Sequence, residues 1–176
     1  MKKVISTEKA PAAIGPYSQA IEVNGMVYTS GIIPVVPETG EIPEGSVAQA
    51  KQALTNLSNL LEAAGTNMDN VVKTTVFIKE MNDFSAINDV YKTFFTADFP
   101  SRSCVEVARL PKDVMLEIEA IAIKQEKQFQ RTPCERYFGT VFFMEIKIHK
   151  IFMLYLVKSD KVLLLTVPGH FVIITM

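Results

Sequence analysis

Residues 71–79, VVKTTVFIK, form a β-branched run lodged between two segments of helical periodicity, and this placement limits the possible fold more than any other feature of the chain. Before the run, Ala50, Leu54, Leu57, Leu61 and Ala64 recur at helical spacing. Ser46 and Gln49 stand there as a capping box, and Gly65 stands as a C-cap. After the run, Phe84, Ile87, Tyr91 and Phe94 share one helical face within residues 83–95, with Asp83 placed to cap it. One strand between two amphipathic helices needs partner strands from elsewhere in the chain.

Those partners are legible on both sides. YSQAIEVNGMVYTSG, residues 17–31, reads as a hairpin turning at Asn24-Gly25, a pair that tolerates the positive φ angles of a type I′ turn. SCVEVARL and MLEIEAIAIK read as two more strands, joined by a turn at Leu110-Pro111-Lys112-Asp113. Ahead of the hairpin, Pro11, Gly15 and Pro16 block regular structure and predict a stiff loop, placed to cover a pocket, leading to Tyr17. The predicted order is β-β-α-β-α-β-β. It corresponds to an α+β fold with one mixed sheet and both helices on one face. The other sheet face carries many apolar residues, so it is expected to pack in an oligomer.

Much of enzymology is excluded by two histidines alone, because His149 and His170 both lie after residue 124. Residues 1–124 therefore offer no imidazole for a Ser-His-Asp triad, a Cys-His pair or an HExxH zinc site, and no GxxxxGK[ST] or GxGxxG phosphate loop. No metal and no cofactor is expected. This segment holds 11 Lys and Arg against 15 Asp and Glu, a net −4, which lacks the clustered positive charge that grips a nucleic acid backbone. Its single cysteine, Cys104, suits a reducing compartment. The N-terminal MKKVISTEKAP is followed by no apolar stretch of signal-peptide length, so the expected location is cytoplasmic and no membrane contact is expected for residues 1–124.

The densest concentration of chemistry is PSRSCVEVARLPKDVMLEIEAIA, residues 100–122. Strand alternation puts Arg102, Cys104 and Glu106 on one side, and Glu117 and Glu119 share a face of the next strand. The planar fork of Arg102 suits bidentate recognition of a carboxylate, and a nearby carboxylate can orient a water. Taken alone, each residue also has an ordinary reading. Arg102 would be an ion-paired surface arginine and Glu117 half of an inter-strand charge pair, while Cys104 would be a small buried hydrophobe. Tyr17 would be packing beside the hairpin, and Asn88 a solvated helix residue.

With APAAIGPYSQA near the start, TSG at 29–31, VVKTTVFIK in the middle and RSCVEVARLPKD followed by EIEAIA, residues 1–124 resemble the reactive intermediate deaminase A group, also called YjgF or the imine/enamine deaminases. The resemblance implies a chorismate-mutase-like fold assembled as a homotrimer, with small-molecule pockets at subunit interfaces. It implies hydrolysis of 2-iminopropionate, 2-iminobutyrate and their enamine tautomers, such as 2-aminoacrylate, to 2-oxo acids and ammonia, without a cofactor. Such an activity protects pyridoxal-phosphate enzymes from their own reactive products. Carried over by position, Arg102 would bind the substrate carboxylate and Glu117 would orient or activate water. The Gly31 amide and the Cys104 carbonyl would contact the substrate from the backbone, and Tyr17, Ser30 and Asn88 would line or close the pocket. The rival readings are a carboxylate-binding regulatory module without turnover and, with less support, an endoribonuclease or translation inhibitor.

Residues 125–176 match nothing in that group. They hold no alanine, against 14 in residues 1–124, and 6 of the 11 phenylalanines. Alternation at Phe142, Met144, Ile146 and Ile148, followed by IFMLYLV and VLLLTV, reads as strands. VLLLTVPGHFVIITM falls short of a spanning helix and contains Pro168 and Gly169. This hydrophobic segment reads as an extension of the kind a frame change or readthrough produces, with a small appended β unit as the alternative.

Overall fold

The computed structural model describes residues 1–96 and 98–124, together with the backbones of two short strands at 145–148 and 151–154. Residues Met1–Lys127 and Gln128–Met176 form two separate compact units.

The first unit is built on a six-stranded sheet. In chain order its elements are β1 (Lys3–Ile5), β2 (Ala20–Val23), β3 (Met26–Thr29), α1 (Ser46–Ala64), β4 (Val71–Ile78), α2 (Phe84–Phe94), β5 (Ser101–Glu106) and β6 (Leu116–Ile123). Across the sheet they run β1-β2-β3-β6-β4-β5. Only β4 and β5 are parallel, as a connection through a helix permits, and the other neighbours are antiparallel. One strand goes beyond the expected order: Lys3–Ile5 pairs with β2, from Lys3↔Glu22 to Ile5↔Ala20, so the sheet begins β-β-β. Three residues are too few to display a period of two.

The Asn24-Gly25 turn has the expected geometry, with φ of 50° and 73°. Gly65 ends α1 in the left-handed region at φ 81°, and the amides of Gly65 and Thr66 bond back to Glu62 O and Leu61 O. The two expected N-caps are absent. Gly45 precedes α1 and no side chain caps it. Gln49 instead accepts the Met115 amide at 2.7 Å and donates to Pro43 O at 2.9 Å, so a tertiary strut replaces the capping box. Asp83 is helical and makes no cap bond.

Leu54, Leu57, Leu60 and Leu61 of α1 are fully buried over the sheet residues Val27, Val76, Ile78, Leu116, Ile118 and Ala122. Each such leucine contributes roughly 1.5–3 kcal/mol of transfer free energy. The opposite sheet face carries a cross-strand row of Val4, Ile21, Tyr28 and Ile121. Exposed side chains on this face include Tyr28 at 42% and Val105 at 43%. The described residues leave this face partly exposed.

In the second unit, β7 (Glu145–Ile148) and β8 (Ile151–Leu154) pair antiparallel. They fall within the alternating segment and the IFMLYLV run. VLLLTV, His149, His170 and Cys134 lie outside the described residues.

Candidate functional site

Arg102 lies on β5 opposite Thr74, on the sheet face that the helices cover. Above it, Phe84, Asn88 and Tyr91 follow one another at spacings of four and three, so α2 presents all three to the strand. The Arg102 guanidinium lies 4.6 Å from the Tyr91 ring centre and 5.5 Å from that of Phe84. Its Nη1 donates to Asn88 Oδ1 at 2.9 Å. Tyr91 is held in turn, its hydroxyl 2.8 Å from Oγ1 of the fully buried Thr74. Stacking of this kind orients a guanidinium without consuming the donors at its edge. Among the described residues no carboxylate forms an ion pair with Arg102. The guanidinium is held in place by Asn88, Tyr91 and Phe84.

Cys104 follows on the same face, opposite Val76. Burial pushes its thiol upward, with the Arg102 charge acting the other way, so the sulfur is held as the thiol. Val107 donates its amide to Ile78 O. Alternation along β5 then turns the amide and carbonyl of Cys104 away from β4, toward the free edge of the sheet.

A second group assembles around Gly31. The Ser30 amide donates to Gln19 O at 2.9 Å and its hydroxyl to Ser18 O at 2.7 Å, while Ile32 and Ile118 exchange backbone bonds of 2.7 and 3.0 Å. No hydrogen bond among the described residues engages the Gly31 amide. The Glu117 side chain packs directly on Gly31: a β-carbon there would lie 2.6 Å from Glu117 Cδ. Burial raises the Glu117 carboxyl above the ordinary carboxylate value, and the neighbouring charge of Glu119 raises it further. Tyr17, 49% exposed, stands at the end of the proline-bearing loop. With Ser30 and Gly31 it lines an open cavity of about 930 Å³, to which Lys112 also contributes.

The two groups do not meet within one chain. Phe77 is opposite Glu117 on β6 and Val105 on β5, whereas Thr74 is opposite Arg102. Residues 74 and 77 differ in parity along β4, so Arg102 and Glu117 lie on opposite faces of the sheet. Arg102, Asn88 and Cys104 form one cluster, and Tyr17, Ser30, Gly31 and Glu117 form another. Sequence reasoning assigned Phe84 and Tyr91 only to the apolar face of α2. Their spacing from Asn88 was the available sign of a cradle for a cation. Among the described residues no three His, Cys, Asp or Glu side chains converge as a metal site requires, and no helix is long and apolar enough to cross a membrane.

A model of the family described as endoribonuclease L-PSP matches residues 7–124. The chain belongs to this family. Among the family's members, the 2-iminobutanoate/2-iminopropanoate deaminase of Escherichia coli K12 is 57% identical over 128 residues, covering 71% of this chain and 100% of that protein. The crystal structure of the YjgF gene product of E. coli matches with a TM-score of 0.68 and 56% identity, over 70% of this chain and 99% of that one. The crystal structure of E. coli TdcF with bound serine matches with a TM-score of 0.67 and 55% identity, over 69% of this chain and 98% of that one. The L-PSP family chain thus carries the mixed sheet and two helices expected from its motifs.

Proposed function

We propose that residues 1–124 hydrolyse reactive 2-imino acids and their enamine tautomers to 2-oxo acids and ammonia, in pockets shared between protomers of a homotrimer. The observation that carries this reading is the Arg102 guanidinium, oriented by Asn88 and Tyr91 and paired with no carboxylate among the described residues. Two relatives support the substrate class: one named for 2-iminobutanoate and 2-iminopropanoate, and one crystallised with serine, which bears a carboxylate beside an amine-bearing carbon.

In the reaction, the substrate carboxylate docks on the Arg102 fork, which sets the imine carbon at a fixed distance. Glu117 of a neighbouring protomer, in its carboxylate form, takes a proton from water as the oxygen adds to that carbon. Glu117 returns that proton to the nitrogen, giving a carbinolamine; transfer of its hydroxyl proton to the amine as the C–N bond breaks expels ammonia and leaves the 2-oxo acid, so one water is consumed per imine. The Gly31 amide and Cys104 carbonyl hold the polar atoms of the reacting group. Imines hydrolyse readily in water, so orientation supplies most of what is needed. The separation of Arg102 from Glu117 within one chain favours a shared pocket, and the apolar sheet face supplies the surface for assembly.

Residues 125–176 are an appended segment outside this activity: the E. coli deaminase is matched over its full length by 71% of the chain. A cytoplasmic location forms part of this reading. A carboxylate sensor without turnover would need Arg102 and not Glu117. The endoribonuclease activity in the family's description finds no histidine in residues 1–124 and a net charge of −4 there.

The test generates 2-aminoacrylate with a pyridoxal-phosphate dehydratase and follows its disappearance. Wild-type protein accelerates the loss and Arg102→Ala does not. Equal rates for the two proteins would refute the clamp, and binding of a 2-oxo acid without turnover would establish the sensor.

A further inference from the structure

The loop between β1 and β2 forms one wall of the cavity that holds Tyr17, Ser30 and Gly31, yet it contains no regular backbone ladder. Pro11 and Pro16 contribute no amide, and the loop's carbonyls need partners from outside any helix or sheet. Asn59 of α1 donates to Lys9 O at 2.8 Å, and one further side chain serves three carbonyls at once. Gln19, 5% exposed, accepts the Thr7 amide on Oε1 at 2.7 Å. Its Nε2 reaches Thr7 O at 3.0 Å, Ala10 O at 3.1 Å and Pro11 O at 2.8 Å. Two N–H bonds thus serve three carbonyls, and the whole amide is spent on one face of the loop.

The Gln19 backbone points the other way. Its carbonyl receives the Ser30 amide, and the adjacent Ser18 carbonyl receives the Ser30 hydroxyl. Gln19 therefore ties the wall that carries Tyr17 to the segment that presents Ser30 and Gly31.

We propose that Gln19 is a positioning residue for the imine pocket, setting the Tyr17 loop against Ser30–Gly31 by bonding both while touching no substrate. This rests on the proposed hydrolysis of imines, and it adds a residue that acts through others.

The test compares full-length wild type with Gln19→Met, which keeps the side chain's length and removes its hydrogen bonds. The expected result is a rise in KM for the imine of about tenfold with kcat changed less than about threefold, as for a displaced binding wall. Because Gln19 acts through Tyr17, the double variant Gln19→Met/Tyr17→Ala is expected within about twofold of Tyr17→Ala alone. Amide hydrogen exchange is expected to accelerate at Thr7 and its loop neighbours and at Ser30, and not in α1 or β4. Losses that multiply in the double variant, or exchange that accelerates equally across α1 and β4, would assign Gln19 to general stability and overturn the proposal. Should Gln19→Met not fold, Gln19→Asn keeps the amide but stops one methylene short of its partners, with the same pattern expected at smaller amplitude. The exchange measurement needs no turnover: an inert wild type would sink the imine reading, and exchange would still decide whether Gln19 holds the loop.

Discussion

The Glu117 carboxyl group occupies the space into which a β-carbon on Gly31 would project, with Glu117 Cδ only 2.6 Å from that point. Gly31 is thus required for close approach, since its own φ is not in the left-handed region. Gly31→Ala must push Glu117 aside by more than an ångström, a displacement that costs about 100-fold in a reaction dependent on orientation. We expect kcat/KM to fall by about that factor with little change in the thermal unfolding midpoint. Full activity in a folded Gly31→Ala protein would remove Glu117 from the reaction.

Asn88→Asp preserves size and places a carboxylate against Arg102 Nη1, now 2.9 Å from the Asn88 oxygen. An internal carboxylate competes with the substrate's own. The expected outcome is a KM raised about tenfold or more, from loss of a charge-assisted hydrogen bond worth roughly 1.5–3 kcal/mol. Arg102→Lys retains the charge but not the fork, and should also raise KM. Steady-state kinetics against substrate concentration checks both, and an unchanged KM in Asn88→Asp contradicts carboxylate recognition at this site.

Burial, and secondarily Glu119, raise the Glu117 carboxyl above its ordinary 4.5. Water activation needs the ionised form, so the acid limb of the pH–rate profile is expected above that value. Glu119→Gln removes the repelling charge and should move the limb to lower pH. The stability linkage has the opposite sense from that of a salt-bridged carboxylate. A raised folded pKa gives stability present below 4.5 that is lost as pH rises through the folded value. Glu117→Gln is therefore expected to melt no lower than wild type at neutral pH while losing turnover. A limb unmoved by Glu119→Gln would show that another group controls it.

Burial keeps the Cys104 thiol protonated, and its expected contact with substrate is through the backbone. Cys104→Ala should retain activity within about threefold, and iodoacetamide should label wild type slowly at neutral pH, as for a thiol whose thiolate fraction is low. Rapid alkylation with parallel loss of turnover would assign the sulfur a chemical role.

The last strand of the sheet is secured at its end by the chain's first unit. The Lys124 amide bonds to Gly25 O at 2.8 Å, its Nζ to Glu22 Oε2 at 2.8 Å, and Thr66 Oγ1 to Ile123 O at 2.6 Å. A chain ending at Lys124 is expected to fold, melt within a few degrees of the full chain and turn over imine. If it folds but is inactive, residues 125–176 belong to the functional protein.

Local chemistry was enough to determine much of this fold from sequence. Asn24-Gly25 accepts two positive φ angles, Gly65 accepts the left-handed C-cap, and α1 repeats leucine at its own helical period, so each element is specified by residues close in the chain. The motif around Arg102 is the source of the proposed carboxylate clamp. The tertiary structure alone showed that Gln49 braces Met115 instead of capping α1, that Gln19 binds a loop across eight to twelve residues of sequence, and that Lys3–Ile5 joins the sheet. It also separated Arg102 from Glu117. Alternation reports which residues of one strand share a face, but the phase between strands is set by register. Here packing under α1 and α2 sets Thr74 opposite Arg102 and Phe77 opposite Glu117, and so divides the candidate site between two faces.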